Sequence, residues 1–470
     1  MVHVHGAQAQ QLAQATPGVD PAELVAVPVD VGKHAAMALV CDFTGELLAR
    51  PFEFPMTMAG VRLLVERVQA ATRGRMIRLV RVGVEAARHY HQPLVSAGVP
   101  PEEWQLVRVN PTQVASQRQL TGRRRLKTDA LDLVAISDLL RAGHGAGHRV
   151  LASALGELAG WVAHRERRVT ARTALKNQLL GQVDRAFPGV SGGVSSLFGT
   201  KVGRLVLAEF TDPVRLASLG WPASSRPPPP AGCRSWPRWP SGWWRPLRVA
   251  IPTDQAPMAR TIIDRDLTLL AAFDAQIAEA DKHLAALLPR TPFAVLWSGP
   301  GWRVVRAASS GAAVGDPARW PSARQVYRAS GLCPATYASA GRRHDGAISR
   351  EGSVTLRRAV LSLGVGLWRL DPAARAYAVS LRARGKPPGV IATAMANRAN
   401  RIAFAMVRDQ RPYDPTGGGE PGFPLPVGCA RLIGWEAGSD TAGDLADPWL
   451  RRGKLGARPP VIQQNPDEVS

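Results

Sequence analysis

Hydrophobic positions change period several times along the first part of the chain, and each change predicts an element. Leu24 to Val31 is almost wholly apolar and ends in Val-Asp-Val-Gly-Lys, which predicts a strand, and Ala36 to Cys41 predicts a second. The turn Asp42-Phe-Thr-Gly-Glu46 then leads to a third strand at about Leu47 to Phe54, giving an antiparallel meander. Over Ala59 to Ala71 the period becomes helical, with Val61, Leu64, Val65 and Val68 on one face. Ile77 to Val84 predicts a fourth strand, His91 to Ala97 a short helix, and Trp104 to Val109 a fifth strand. A last helix runs from Asp129 to about Leu140, carried by Leu131, Leu133, Ile136, Leu139 and Leu140.

The resulting β-β-β-α-β-α-β-α order matches an α/β ribonuclease H fold over residues 22–145, in which the first and fourth strands lie side by side and parallel. Beyond it the pattern is α. Leu151 to Ala186 alternates Leu, Val and Ala with basic residues, and Leu270, Phe273, Ile277, Ala280, Leu284 and Leu287 follow a 3-4-3-4-3 spacing. That heptad seam predicts an antiparallel hairpin or an intermolecular coiled coil within 146–295, with a single amphipathic helix packed on a core as the open alternative. Residues 219–248 keep neither period, and five tryptophans stand there among prolines. They read either as a proline-rich ligand segment or, preferably, as the product of two compensating frameshifts in a GC-rich gene. Helices at about Val354 to Leu370, Pro372 to Arg384 and Gly389 to Asp409 predict a small bundle in a C-terminal domain, 296–410, and the Gly/Pro-rich residues 411–470 a disordered tail.

Acidic side chains at the ends of these elements supply the first candidate chemistry. Asp129 and Asp132 stand three apart in a first helical turn, so both carboxylates leave one face and repel unless a cation lies between them. Taken alone they read as a capping residue and a solvated charge. Asp30 and Glu85 alter that reading, because each ends one of the two strands expected to be parallel neighbours. Four acids around one point would make a site for hard cations, Mg²⁺ or Mn²⁺. Two such ions about 4 Å apart could activate an attacking oxygen and stabilise the leaving oxygen of a phosphodiester. Arg118, Arg123, Arg124, Arg125 and Lys127 lie between the last strand and this helix with no acid among them. They read as a mobile loop that grips a phosphate backbone, or as a merely solvated one.

Charge agrees with a polyanionic partner: 59 Lys and Arg against 37 Asp and Glu leave +22, although a GC-rich genome also inflates Arg. The four cysteines are scattered without CxxC spacing or paired histidines, which indicates neither a zinc site nor a disulfide framework and fits a reducing cytoplasm. No run of eighteen apolar residues predicts a membrane span, so a soluble protein is expected.

The second candidate site lies near the C-terminal helices. Ser339 is set among small residues and followed by Arg342, Arg343 and His344, with Arg350, Arg357 and Arg358 beyond. Small neighbours would let a phosphate backbone approach closely, and guanidiniums could hold its oxygens in pairs. Ser349 reads as a turn residue and Ser353 as a helix N-cap. Ser298-Gly-Pro-Gly-Trp302 resembles the loop of backbone-binding helical modules, and also an ordinary turn.

With Val29-Asp-Val-Gly-Lys33, Gly83-Val-Glu-Ala86, Asn110-Pro111, Lys127-Thr-Asp-Ala-Leu-Asp132 and the Ser339 block, the chain resembles DEDD-type transposases of the insertion-sequence one-ten family, relatives of the Piv-type DNA invertases. The resemblance runs from about Leu24 to Pro412, interrupted at 219–248. It implies a RuvC-like domain with Asp30, Glu85, Asp129 and Asp132 as metal ligands, and a separate domain supplying Ser339 as nucleophile. It further implies DNA ends and target as substrates, a guide RNA from the element, a homo-oligomer, and a cytoplasmic, nucleoid-associated bacterial setting. Two other functions stay open from the residues: a junction-resolving nuclease that uses water, and an inactive nucleic-acid-binding remnant.

Overall fold

The structure, a computed structural model, describes residues 11–86, 89–96, 99–121, 128–147, 153–187, 197–200, 203–204, 207, 256–339 and 342–415. The chain divides between residues 151 and 152 into two compact units.

The first unit is built on a six-stranded sheet, β1 Leu24–Val31, β2 Ala35–Asp42, β3 Leu47–Pro55, β4 Leu79–Glu85, β5 Gln105–Val109 and β6 Ala146–Gly147, in the order β3-β2-β1-β4-β5-β6. β1 runs antiparallel to β2 and parallel to β4, with Val29 level with Val84. Helix α1, Met58–Thr72, starts at the N-cap Thr57, whose hydroxyl accepts from the Gly60 amide, and buries Val61, Leu64 and Val68. Strand alternation sorts the core into two layers. Val25, Val27 and Val29 of β1 and Val82 and Val84 of β4 pack on the α1 side. Leu24 and Ala26 pack on the opposite side with Leu133, Ile136 and Leu140. These last belong to α3, Asp129–Arg141, capped by Thr128. The α3 helix lies directly on the sheet at Gly83, where a Cβ would stand 2.6 Å from Leu140 Cδ2.

Two expectations fail in this unit. Residues 89–95 form turns rather than a helix; Pro93 brings no amide to the middle of the segment, and the i to i+4 bond from Val95 N to His91 O, 3.3 Å, stands between the shorter-range Gln92 N to His89 O and Ser96 N to Pro93 O rather than in a helical run. Arg118 lies on a helix, α2 Pro111–Thr121, and not in a loop. Asn110 Oδ1 accepts from the Thr112 amide and Pro111 occupies the first position, so the start is well specified. The helix escapes a periodicity reading because Val114 is its one buried hydrophobic residue and Leu120 is 81% exposed.

In the second unit, α4 Ser153–Ala186 and α5 Ala256–Leu287 pack side by side. Arg165 donates to Asp281 and Arg172 to Asp274, at 2.8 Å for the latter, so positions rising along α4 meet positions falling along α5. The pair is therefore antiparallel, as one of the two seam readings expects. Ile263, Leu270, Ile277, Ala280, Leu284 and Leu287 are buried along α5. No helix among the described residues is long and apolar enough to cross a membrane. The residues 219–248 and the tail beyond 415 lie outside the described residues.

The C-terminal bundle follows: α6 Val304–Val314, α7 Ala323–Ala329, α8 Val354–Leu370, α9 Pro372–Ala383 and α10 Pro388–Asp409. Trp302 is fully buried and its indole N–H donates to Leu363 O at 2.8 Å, so the Gly-Pro-Gly loop is a packing joint against α8. Between α7 and α8 stands an antiparallel two-stranded ribbon, β7 Pro334–Ser339 and β8 Arg342–Ile348, in a region whose sequence predicts mainly helix.

Candidate functional sites

Asp30 is the penultimate residue of β1 and Glu85 the last of β4. Continuing the parallel register one step past Val29 and Val84 sets Asp30 beside Glu85. Alternation puts both on the α3 side of the sheet, and both are half-buried.

The direction of α3 follows from its contacts. Ser137 Oγ meets Cys41 Sγ at 3.1 Å, and Arg141 donates to Phe43 O and Thr44 O in the turn beyond β2, level with the Val25 end of β1. The helix therefore runs away from the Asp30 end of the strand, and its first turn, with Asp129 and Asp132, is the part turned towards that edge. Asp129 is exposed. Asp132 is buried, 1% exposed, and forms an ion pair with Arg118. A second tie between the helices runs from Gln117 Nε2 to Asp138 Oδ2 at 3.1 Å. Among the described residues no three Asp, Glu, His or Cys side chains come close enough to share an ion. The donors suit a hard cation in kind, but they are not gathered within shared coordination reach here, and Asp132 is ion-paired with Arg118. Arg123, Arg124, Arg125 and Lys127 lie outside the described residues.

Sequence reasoning missed that pairing because it missed α2. The signal available was Asn110-Pro111, a cap followed by proline.

Ser339 is the last residue of β7, exposed, and pairs in register with Arg342, also exposed. Arg343 lies in β8 level with Ala338. The foot of the ribbon is fastened to α8: Arg357 donates to Ser330 O at 2.9 Å and to Arg350 O at 2.7 Å. That guanidinium clamps backbone, whereas the sequence suggests a phosphate contact. Gly352, at φ 145°, fits there because a Cβ would stand 2.2 Å from Ala329 O. Ser349 and Ser353 act as expected, accepting from the amides of Glu351 and Leu356.

Two family models match the chain. One, described as Transposase, of the DEDD IS110 type, covers residues 27–188, and the other, Transposase IS116/IS110/IS902 family, covers 294–378; together they span more than half of it. The chain belongs to the IS110 transposase family. It is 33% identical over 146 residues to the 43.6 kDa protein of insertion element IS110 from Streptomyces coelicolor, covering 31% of this chain and 36% of that one. It is 30% identical over 167 residues to the 42 kDa protein of insertion element IS900 from Mycobacterium paratuberculosis, covering 34% and 40%. The aligned stretches thus take in well under half of either relative. The first family match takes in the sheet from Val27 onward and all four acids, and the second contains the ribbon with Ser339.

Proposed function

We propose that this transposase cuts and rejoins DNA with an acidic tetrad, Asp30, Glu85, Asp129 and Asp132, and a serine nucleophile, Ser339. The observation that carries the reading is the parallel pairing of β1 with β4, which sets Asp30 beside Glu85 on the face crossed by α3. The 3-2-1-4-5 strand order supports a ribonuclease H-like, RuvC-like domain, and the antiparallel α4–α5 pair supports a coiled-coil arm.

The four carboxylates would hold Mg²⁺ or Mn²⁺, with Asp132 exchanging Arg118 for the ion. Such an ion supplies charge neutralisation at a scissile phosphate and lowers the pKa of a coordinated hydroxyl. At the serine, Oγ forms a bond to phosphorus, the bond from phosphorus to the leaving sugar oxygen breaks, and the serine proton passes to solvent or to that oxygen. Arg342, across the ribbon from Ser339, offsets the charge gathering on the phosphoryl oxygens, and Arg343 is assigned the same duty. Arg118 and the basic residues 123–127 hold the phosphate backbone beside the acids.

On the family likeness we also assign DNA ends and target as substrates, a guide RNA from the element, and a homo-oligomer. The test is a covalent protein–DNA adduct formed with Mg²⁺ and both DNA partners. Ser339→Ala and Asp30→Ala should each abolish the adduct while leaving DNA binding intact. Cleavage without an adduct, retained in Ser339→Ala, would instead establish the water-using nuclease. That second reading draws on the acids and the serine lying in separate units.

A further inference from the structure

The β7–β8 ribbon carries a contact surface that the tetrad and Ser339 leave unexplained. Thr336, Tyr337, Ala338 and Ser339 are all exposed in consecutive positions, so both faces of β7 meet solvent. A lone two-stranded ribbon of this kind is marginal in water and gains stability from whatever it packs against. Tyr337 stands out: it is 67% exposed, yet its ring lies over Gly346 on the neighbouring strand, where a Cβ would stand 3.5 Å from Tyr337 Cε2. The ring thus touches the ribbon at Gly346, and most of it is presented outward.

We propose that this ribbon inserts into the major groove of duplex DNA, with Tyr337 as its anchoring contact. The inference rests on the reading of the chain as a DNA recombinase. The B-form major groove is about 12 Å wide and admits a two-stranded ribbon. Ala335, Ala338, Gly346 and Ala347 keep this ribbon thin, as close entry requires. Its charge suits a polyanion, since Arg342 and Arg343 open β8 and Asp345 is the single acid between residues 334 and 348. Insertion also leaves Ser339 and Arg342, at the tip end of the ribbon, close to the backbone bordering the groove. A-form RNA duplexes are excluded, because their major groove is deep and narrow.

The test uses the full-length chain and fluorescence anisotropy with three probes: a mixed-sequence DNA duplex, the same duplex with its major groove filled by glucosylated 5-hydroxymethylcytosine, and the matching RNA duplex. Wild type should bind the plain duplex about tenfold more tightly than the filled one, the size of one good groove contact. Tyr337→Ala should lose that advantage and bind both DNAs alike, and Tyr337→Phe should restore most of it. Circular dichroism should show all variants folded, as an exposed side chain requires. Equal wild-type binding to plain and filled duplexes overturns the proposal, as does Tyr337→Ala binding like wild type, or preference for the RNA duplex. The adduct assay separates the two readings: a groove effect without any adduct at Ser339 leaves the ribbon standing and removes the nucleophile.

Discussion

Arg118 and Asp132, fourteen residues apart on two packed helices, form an ion pair in which the carboxylate side chain is only 2% exposed and the guanidinium 19%. An isolated buried carboxylate would be costly, so the pair explains how Asp132 is tolerated when no ion is bound. On the proposal that Asp132 is a metal ligand, a cation would compete with Arg118 for the same oxygens.

Arg118→Gln therefore has two opposite effects. Without divalent ions the variant should lose about 2 kcal/mol, since the buried Asp132 carboxylate loses the charge of Arg118. With Mn²⁺ it should bind the ion about tenfold more tightly than wild type and recover its melting temperature. Titration calorimetry and thermal melts with and without Mn²⁺ read both. Equal Mn²⁺ affinities in the two proteins would show that Arg118 does not stand in for the ion.

Gly83 tests how closely α3 must lie on the sheet. Gly83→Ala should destabilise the first unit by about 1–3 kcal/mol, because Leu140 is fully buried and has nowhere to move. Adding Leu140→Ala should not simply sum with it, as the smaller side chain removes the clash. Thermal melts of both single variants and the double variant check this; strict additivity would mean that the close approach is not the cause.

Much of this architecture is legible along the chain, for reasons visible in particular residues. β1 and β4 are mostly apolar runs with an acid at or next to the end, so the strands follow from hydrophobicity, and the expectation that they pair follows from the order of elements. α8 declares itself through Ser353 and its apolar face, and its observed limits coincide with the predicted ones. By contrast α2 buries too little for its period to show, so the Arg118–Asp132 pair stays hidden. The ribbon hides for the same reason: its alternation is between small and polar residues, with no apolar face to read. Its feet are set by backbone bonds from Arg357, which composition does not reveal.

The antiparallel helix pair carries two partly buried ion pairs whose members are unequal in cost. Asp281→Ala leaves Arg165, 7% exposed, without its carboxylate and should cost about 3 kcal/mol. Replacing both, Arg165→Met with Asp281→Leu, should recover most of that loss, because matched apolar side chains need no counter-charge. Denaturant melts followed by helical circular dichroism measure the difference. A double variant as unstable as Asp281→Ala would contradict this account.

Tyr413 gives the second unit an alkaline limit. Its hydroxyl donates to Asp371 Oδ1 at 2.9 Å, while the other oxygen of Asp371 caps α9 through the Ala374 amide. Burial first, and then the bond to Asp371, push the phenol up from its ordinary 10 to about 12. The folded value is thus the higher one, so the folded state holds the proton more tightly than the unfolded chain. This stabilisation is fully present below pH 10 and is lost as pH rises through about 12. Tyr413→Phe should be less stable than wild type at neutral pH, with the gap closing across that window. Melting temperatures of the two proteins along a pH series measure it, and ultraviolet titration should show the missing tyrosinate step near 12 rather than 10. A constant gap at every pH would mean that the bond to Asp371 contributes nothing through its proton.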